Sequence, residues 1–501
     1  QDVFAQEVAS TICKMNISVV AVGVASISSF LFGYLICVLN TSLGLIAVNL
    51  RWCANDWQSE CLASRLSQGT VNAALYLGAS LGAFLIGFPF AAKLGGRRQI
   101  CVADIFFVAG AVISATAVDF RALAMGRMLS GVGLGISAVA GPLYMAEVAT
   151  RERRGVSGAM HGVFIAIGIL ASIAFGIPQS PPPSEPGETL QGLDTWYWRF
   201  LVAIPALLAS VQFVLFTFVV RVDTPSFLID KGRLQEARSI LYRTYGKDVN
   251  DFSQVREGDQ VTKELEAMLD EMTEASAEAK MSPKMSVLRA MCDKWLRYGI
   301  YLGFSLAALQ QLCGINALMS YSNAFFQEAG IPAAGLTFAS VMMAMANVSV
   351  SVCASKIVDH WGRRTLLLLG CGGQAIAMGL LLRCISGPEG LAHASQTIGV
   401  LTVACFSLFT TAFNLGLGGI TWVYLSEIYP VEIRSSALST CGVINWLCSF
   451  LVVFCSRLLS LRQSVQIFGA ISGFGFVIVY IWLVETKGGS LDDKPVTPRK
   501  G

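Results

Sequence analysis

Charged side chains are scarce in this chain of 501 residues. They make up 14% of the sequence, whereas soluble domains carry about 25%, and the formal net charge is only +3. A soluble globular protein of this size is therefore excluded, and so weak a charge argues against a nucleic-acid partner.

Motifs for metal binding and catalysis are also lacking. Histidine occurs three times, and the 14 cysteines include no Cys-x-x-Cys pair. No pair of acids lies inside the apolar segments, as glycoside hydrolysis would need, and no Ser-His-Asp set is evident. The sequence therefore predicts no metal site and no cofactor, and it predicts that the protein is not an enzyme.

Long apolar segments are what the chain has in abundance. Hydrophobic residues make up 54% of the sequence, and the mean hydropathy is +0.61. A helix needs about 20 apolar residues to cross a bilayer. The fold class predicted is an all-α polytopic membrane protein with twelve spans, at 16–39, 69–92, 99–118, 121–144, 156–178, 197–220, 298–327, 334–357, 364–385, 395–427, 435–457 and 464–484.

One extended polar region separates the first six spans from the last six. Residues 222–297 carry a run of acids among helix-forming residues, which predicts a small helical linker domain in water. The predicted domains are a six-helix half at 1–221, this linker, a second half at 298–486 and a tail at 487–501.

Basic residues predict the orientation, because positively charged loops stay on the cytoplasmic side. Both termini and the linker are expected in the cytosol. The basic residues that share this side are Lys93, Arg97, Arg98, Arg151, Arg153, Arg154, Lys356, Arg363, Arg364 and Lys487.

The two halves repeat each other. Tyr144, Glu147 and Arg154 recur 280 positions later as Tyr424, Glu427 and Arg434. Parallel six-helix halves are a known transporter architecture, with the substrate held between them. The repeated acids and arginines are either topogenic charges facing water or, as we favour, a network that forms in one conformation and breaks in another. This predicted latch comprises Arg97, Arg98, Glu147, Arg154, Asp359, Arg363, Arg364, Glu427 and Arg434.

Uncharged amides lie inside the apolar segments of the second half. The seventh segment contains Gln310, Gln311 and Asn316, and later segments add Asn347, Thr421, Trp422 and Asn445. Such amides either join helices or bind a ligand. Amides both donate to and accept from hydroxyls, and an indole face covers the apolar side of a pyranose ring. The set therefore suits a neutral, polyhydroxylated ligand.

Two smaller features add candidates. Gly416, Gly418 and Gly419 precede Trp422, and we expect a hinge there, although close helix packing is the alternative. Cys53 and Cys61 share a short polar loop on the predicted outer side, where a disulfide and two free thiols are equally compatible with the sequence.

These motifs together resemble the sugar porter family of the major facilitator superfamily, especially the hexose transporters of apicomplexan parasites. The motifs that match are Phe32-Gly33-Tyr34, Gly96-Arg97-Arg98, Pro142-Leu143-Tyr144 with Glu147, Gln310 to Asn316, Gly362-Arg363-Arg364, Trp422 with Glu427, Asn445-Trp446 and Glu485-Thr486-Lys487. The resemblance implies alternating-access hexose transport across the plasma membrane by a protein that functions as a monomer, and it places the amides above and Trp422 at the sugar.

The chain departs from the family pattern at several positions. Gly162 stands where glucose carriers usually have Gln, and Ser320 replaces the first of two gate aromatics, which leaves Tyr321. The proton-binding Asp of the family's symporters is Leu35 here. This favours facilitative transport over a proton-coupled sugar or inositol symporter.

The sequence leaves two alternatives to facilitative transport. A symporter needs a titratable group inside the membrane, and the candidates are His161 and Asp104, the latter expected about one turn inside the third segment. A nutrient receptor that does not transport would need a long cytoplasmic tail, and the short stretch after the last segment disfavours it.

Overall fold

The computed structural model describes residues 17–486 apart from 56–59, 88–92, 151–153, 181, 184–191, 245–261, 265, 272–273, 275–286, 295, 358–360 and 387–395. Six long helices form the first half. They are α1 Ile17–Cys37, α2 Leu62–Ile86, α3 Gly96–Ala115, α4 Phe120–Val148, α5 Arg154–Ala174 and α6 Tyr197–Val214, which continues as the π-helix Leu215–Val219.

The second half repeats this arrangement, with two of its helices interrupted. They are α7a Leu296–Leu312, α7b Ile315–Glu328, α8 Leu336–Ile357, α9 Arg363–Ile385, α10a Gln396–Phe413, the π-helix Asn414–Gly418, α10b Gly419–Ile428, α11 Val431–Ser456 and α12 Leu461–Trp482. The predicted single spans 298–327 and 395–427 are therefore each a broken helix.

Short helices outside the spans connect these elements. Leu43–Asn49 follows α1, and the described part of the predicted linker contains Pro225–Asp230, Leu234–Thr244 and Val287–Cys292. The boundaries of the linker at 222 and 297 stay a prediction, and the predicted tail 487–501 lies outside the described residues.

The predicted fold class is confirmed. Within the described ranges, eleven helices are long and apolar enough to cross a membrane, and the shorter apolar stretch Met160–Ala174 of α5 supplies the twelfth. The predicted second span was displaced: α2 begins at Leu62 rather than 69. Cys61 caps the helix by accepting a hydrogen bond from the Ser64 backbone, so the helix starts in a polar stretch that hydropathy alone does not include.

Glycines allow the helices of each half to pack at backbone distance. A Cβ on Gly78 of α2 would lie 1.9 Å from the Met128 carbonyl oxygen of α4, and one on Gly135 of α4 would lie 2.1 Å from the Ala79 oxygen. In the second half, a Cβ on Gly370 of α9 would lie 2.8 Å from the Gly416 Cα. Because glycine has no side chain, the helix backbones can approach closely. Such close packing holds helices together in a membrane, where no hydrophobic driving force acts between them.

The halves meet through two helix pairs, α2 with α11 and α5 with α8. α1 also contacts α7b. The loop between α1 and α2 contains the disulfide Cys53–Cys61, and we call the end that carries it the disulfide end. We call the end where α3 and α9 begin the basic end. Side chains of the two halves are hydrogen-bonded at the disulfide end, where Asn40 donates to Ser322 at 2.7 Å and the Cys37 thiol donates to the Met319 carbonyl at 3.3 Å.

Candidate functional site

Four of the predicted amides form one continuous hydrogen-bonded chain. Gln310 accepts from the Asn445 Nδ2 at 2.6 Å, and the Asn445 oxygen accepts from Gln311 at 3.2 Å. Gln311 in turn accepts from Asn316 at 2.7 Å. All four side chains are buried. We call these four residues the amide chain.

The break in α7 is what brings the amides together. Gly314 separates α7a from α7b with φ +95°, a left-handed conformation that glycine adopts without strain. A Cβ there would lie 2.5 Å from the Phe468 ring of α12. Gln310 and Gln311 therefore end one helix and Asn316 begins the next, so that side chains from both segments converge on α11.

Backbone carbonyls of α10 complete one side of the amide chain. The Gln310 Nε2 donates to the Leu417 and Gly418 carbonyl oxygens, at 2.6 and 2.8 Å. These oxygens belong to the π-helix, where the i→i−4 pattern is interrupted. The predicted hinge glycines thus lie at an irregular turn whose carbonyls are bonded to the amide chain.

A second amide pair lies on the neighbouring helices. Asn414, the first residue of the π-helix, donates to Asn347 of α8. Asn347 was predicted and Asn414 was missed, although an amide eight residues before Trp422 in an apolar segment was a usable signal. Thr421 is fully buried and its hydroxyl has no hydrogen-bond partner, whereas the Trp422 side chain is 36% exposed.

Aromatic side chains from both halves meet beside this polar site. The Trp446 ring of α11 lies 5.6 Å from the Phe32 ring of α1 and 6.3 Å from the Tyr76 ring of α2. Trp446, the residue after Asn445, is thus the indole that touches the first half.

The first half contributes a histidine close by. The His161 Nδ1 lies 2.8 Å from the Ser29 hydroxyl, and its ring meets Phe32 edge-on at 6.1 Å. A Cβ on the adjoining Gly162 would meet nothing within 4 Å. The position without a side chain therefore faces open space.

Tyr321 lies where the halves close at the disulfide end. It has non-helical backbone angles within α7b and is buried. The preceding Ser320 donates to the Ile36 carbonyl of α1 at 3.3 Å and lies 3.4 Å from the Tyr76 hydroxyl. The serine that replaces an aromatic thus bonds across the halves, a contact the sequence did not predict.

At the basic end, three of the predicted latch residues form ion pairs. Arg97 donates to Asp223 at 3.1 Å, and Arg363 donates to Glu427 at 3.0 Å. Glu485 accepts the backbone N–H groups of Arg363 and Arg364, at 2.8 and 3.0 Å. Glu427 additionally accepts from Thr486.

The other predicted latch residues that the structure describes have different surroundings. Arg98 is exposed, Arg364 donates to the Tyr480 carbonyl at 2.8 Å, and Arg434 donates to the Tyr429 carbonyl at 2.9 Å. Glu147 lies half-buried in the last turn of α4. Asp359 and the Arg154 side chain lie outside the described part of the chain.

The loop between α1 and α2 contains a disulfide. It joins Cys53 to Cys61 with a Cα–Cα distance of 6.0 Å. Of the two alternatives that the sequence left open, the structure has the bonded pair.

Asp104 lies deeper than the sequence suggested. It is eight residues past Gly96, about 12 Å along α3, and not one turn inside. The side chain is fully buried, and neither carboxylate oxygen has a hydrogen-bond partner.

Two six-helix halves around a buried, uncharged polar site, with broken helices at that site, define a membrane transporter. The family model described as "Sugar (and other) transporter" matches residues 21–496. The chain belongs to this family, which confirms the resemblance and makes the protein a transporter and not an enzyme.

Individual relatives agree with this assignment. Hexose transporter 1 of Plasmodium knowlesi is 31% identical over 487 residues, which cover 96% of this chain and 92% of that protein. Hexose transporter 1 of Toxoplasma gondii is 30% identical, with 99% and 85% covered. A partially occluded, inward-open structure of the xylose transporter XylE from E. coli has a TM-score of 0.74 at 21% identity and covers 95% of this chain and all of that one.

Proposed function

We propose that this protein carries hexoses across the plasma membrane by facilitated, alternating-access transport. The observation that supports this best is the amide chain Gln310–Asn445–Gln311–Asn316, which is buried, uncharged and built at a helix break. The names of the Plasmodium and Toxoplasma relatives supply the substrate class.

The amide chain suits a sugar because it can exchange partners. A buried amide must keep its hydrogen bonds, and a hydroxyl that donates and accepts can replace the neighbouring amide without leaving an unpaired group. Asn347, Asn414 and the unpartnered Thr421 hydroxyl extend the polar surface. Trp422 and Trp446 offer indole faces to the apolar side of the ring.

The contacts between the halves support alternating access. The hydrogen bonds between the halves at the disulfide end support a state that is closed at that end, from which the site would open towards the basic end. The disulfide Cys53–Cys61 supports an outer location for its end, because such bonds persist on the oxidising side. The basic residues then face the cytosol together with both termini. One chain contains both halves, so a monomer suffices.

Downhill transport is supported by α1. The segment Ile17–Cys37 contains no acid, and Leu35 is an apolar residue only 4% exposed. Leucine cannot bind a proton, and the neighbouring amides do not titrate. Sugar binding at this site then requires no change of protonation.

Proton coupling remains the second candidate because of Asp104. Asp104 is a titratable group within the third span, and neither of its carboxylate oxygens has a hydrogen-bond partner. His161, within hydrogen-bonding distance of Ser29 and beside Phe32, is the second titratable candidate.

Proteoliposomes distinguish the two modes. Facilitated transport predicts equal glucose concentrations inside and outside at the end point, with or without an inward proton gradient. Accumulation above the external concentration that a protonophore abolishes, and that Asp104→Asn or His161→Gln removes, would establish symport. Labelled glucose, fructose, galactose and xylose compared in the same vesicles would define selectivity, and no saturable uptake of any of them would refute the proposed substrate class.

A further inference from the structure

A single arginine at the disulfide end joins three elements from both halves. Arg457 follows α11, and its Nη2 pairs with Glu60 of the other half. Its Nε donates to the Gln68 oxygen of α2 at 2.6 Å. Its guanidinium lies 5.9 Å from the centre of the Tyr321 ring of α7b. The Arg457 side chain is only 11% exposed, so these contacts are partly shielded from water.

Glu60 is held in place by its surroundings. It directly precedes Cys61, which is bonded to Cys53 and caps α2. Its second carboxylate oxygen lies 3.3 Å from Arg65, in the first turn of α2. The carboxylate thus bridges one arginine of its own half and one of the opposite half.

The contact lies at a close approach of the two halves. A Cβ on Gly69 of α2 would lie 3.1 Å from the Phe454 carbonyl and 3.7 Å from the Arg457 Cβ. Tyr321, beneath the guanidinium, follows Ser320, which bonds to α1. Separation of the halves at this end would therefore break the Glu60 and Gln68 contacts of Arg457 together.

We propose that Arg457, Glu60 and Gln68 form a latch across the halves that favours the state closed at the disulfide end, and that the Cys53–Cys61 disulfide positions its acid. The driving force is a charge-assisted contact that exists only in the closed state, which shifts a two-state equilibrium by its differential free energy. The latch acts on the conformational equilibrium, and it does not depend on which cargo the protein carries.

Hydrogen–deuterium exchange of the purified full chain in nanodiscs, without sugar, tests the latch. Arg457→Gln is expected to raise exchange about two- to fivefold over residues 36–42 and 316–328. This is the change that corresponds to the loss of a partly exposed ion pair. Glu60→Gln should do the same. The double variant should exceed neither single variant, because both remove one shared contact.

Arg65→Gln is the matched control. This substitution removes the arginine that pairs with Glu60 from within the first half. Exchange over residues 36–42 and 316–328 should therefore stay unchanged. The double variant Cys53→Ser with Cys61→Ser should raise exchange like Glu60→Gln if the disulfide positions the acid, and unchanged exchange would remove the disulfide from the proposal.

Three outcomes would overturn the latch itself. They are unchanged exchange in Arg457→Gln, an equal increase in Arg65→Gln, and fully additive effects of Arg457→Gln and Glu60→Gln. Exchange over α9, within 363–385, reports folding, and an increase there would mean general destabilisation rather than opening. None of these measurements uses transport, so they stand apart from the test of hexose uptake.

Discussion

Asn316 donates its side-chain amide to Gln311 across the helix break at Gly314, with 2.7 Å between the nitrogen and the oxygen. The bond spans five residues and one left-handed glycine. It ties the closing turn of α7a to the opening turn of α7b, and both amides also bond to α11 through Asn445 and Ser449.

Removing either amide should weaken sugar binding. Gln311→Ala and Asn316→Ala each delete one hydrogen-bonding group, which costs about 0.5–1.5 kcal/mol or roughly two- to tenfold in affinity. Equilibrium binding of glucose to the purified protein measures this. Gln466→Ala, an exposed amide on α12, is the control and should bind normally. Unaltered affinity in both α7 variants would contradict the proposed site.

Gly314→Ala should destabilise the protein. The left-handed backbone costs an L-residue roughly 1–2 kcal/mol, and the added Cβ would meet the Phe468 ring at 2.5 Å. We expect a lower midpoint of thermal unfolding in detergent. Gly379→Ala in α9 adds the same methyl group to a helical site with no atom within 4 Å and should match or exceed the parent midpoint. Equal midpoints for the two variants would exclude strain at Gly314.

The carboxylate of Glu485 should stabilise the start of α9. It accepts two backbone N–H groups that the helix leaves unpaired, as a capping residue does. Glu485→Ala should cost about 0.5–2 kcal/mol, seen as a lower unfolding midpoint. Glu236→Ala breaks the exposed pair with Arg233 in the linker and should leave the midpoint unchanged. Equal unfolding midpoints for Glu485→Ala and Glu236→Ala would contradict this prediction.

Filling the space at Gly162 should strengthen sugar binding. Gly162→Gln adds an amide where a Cβ meets nothing within 4 Å, so folding should be unaffected. One new hydrogen bond to a hydroxyl corresponds to a fall of about two- to tenfold in the glucose KM. Gly162→Leu, similar in size but apolar, should give no such gain. The same KM in Gly162→Gln as in the parent would mean that this face of α5 does not contact the sugar.

The apolar spans could be predicted from the sequence because the bilayer imposes their length and composition. The break in α7 could not be predicted, because a glycine in an apolar segment is equally consistent with tight helix packing. Amino-acid composition does not show which glycine has a positive φ. The start of α2 was misjudged because its first turn is polar and begins at the disulfide.

The sequence predicted the residue types of the candidate site more completely than the hydrogen bonds that connect those residues. Amides in apolar segments are conspicuous, and four of them do form one chain. Their order within that chain depends on contacts between residues more than 130 positions apart, as for Gln311 and Asn445. Asn414 was missed because its partner is on another helix, and nothing in the sequence around Arg457 indicates that it contacts the other half. Long-range pairing of this kind is set by packing, which one sequence does not display.

The backbone contacts at Gly78, Gly135 and Gly370 have a consequence for how this transporter can change over evolutionary time. Even a single methyl group at these positions would push helices of one half apart, so the spacing within each half is fixed. Substitutions that add volume are then better tolerated on the lipid-facing surface, where the added volume displaces only lipid. A change in cargo preference is then expected to come from side chains that contact the cargo, while each half keeps its shape.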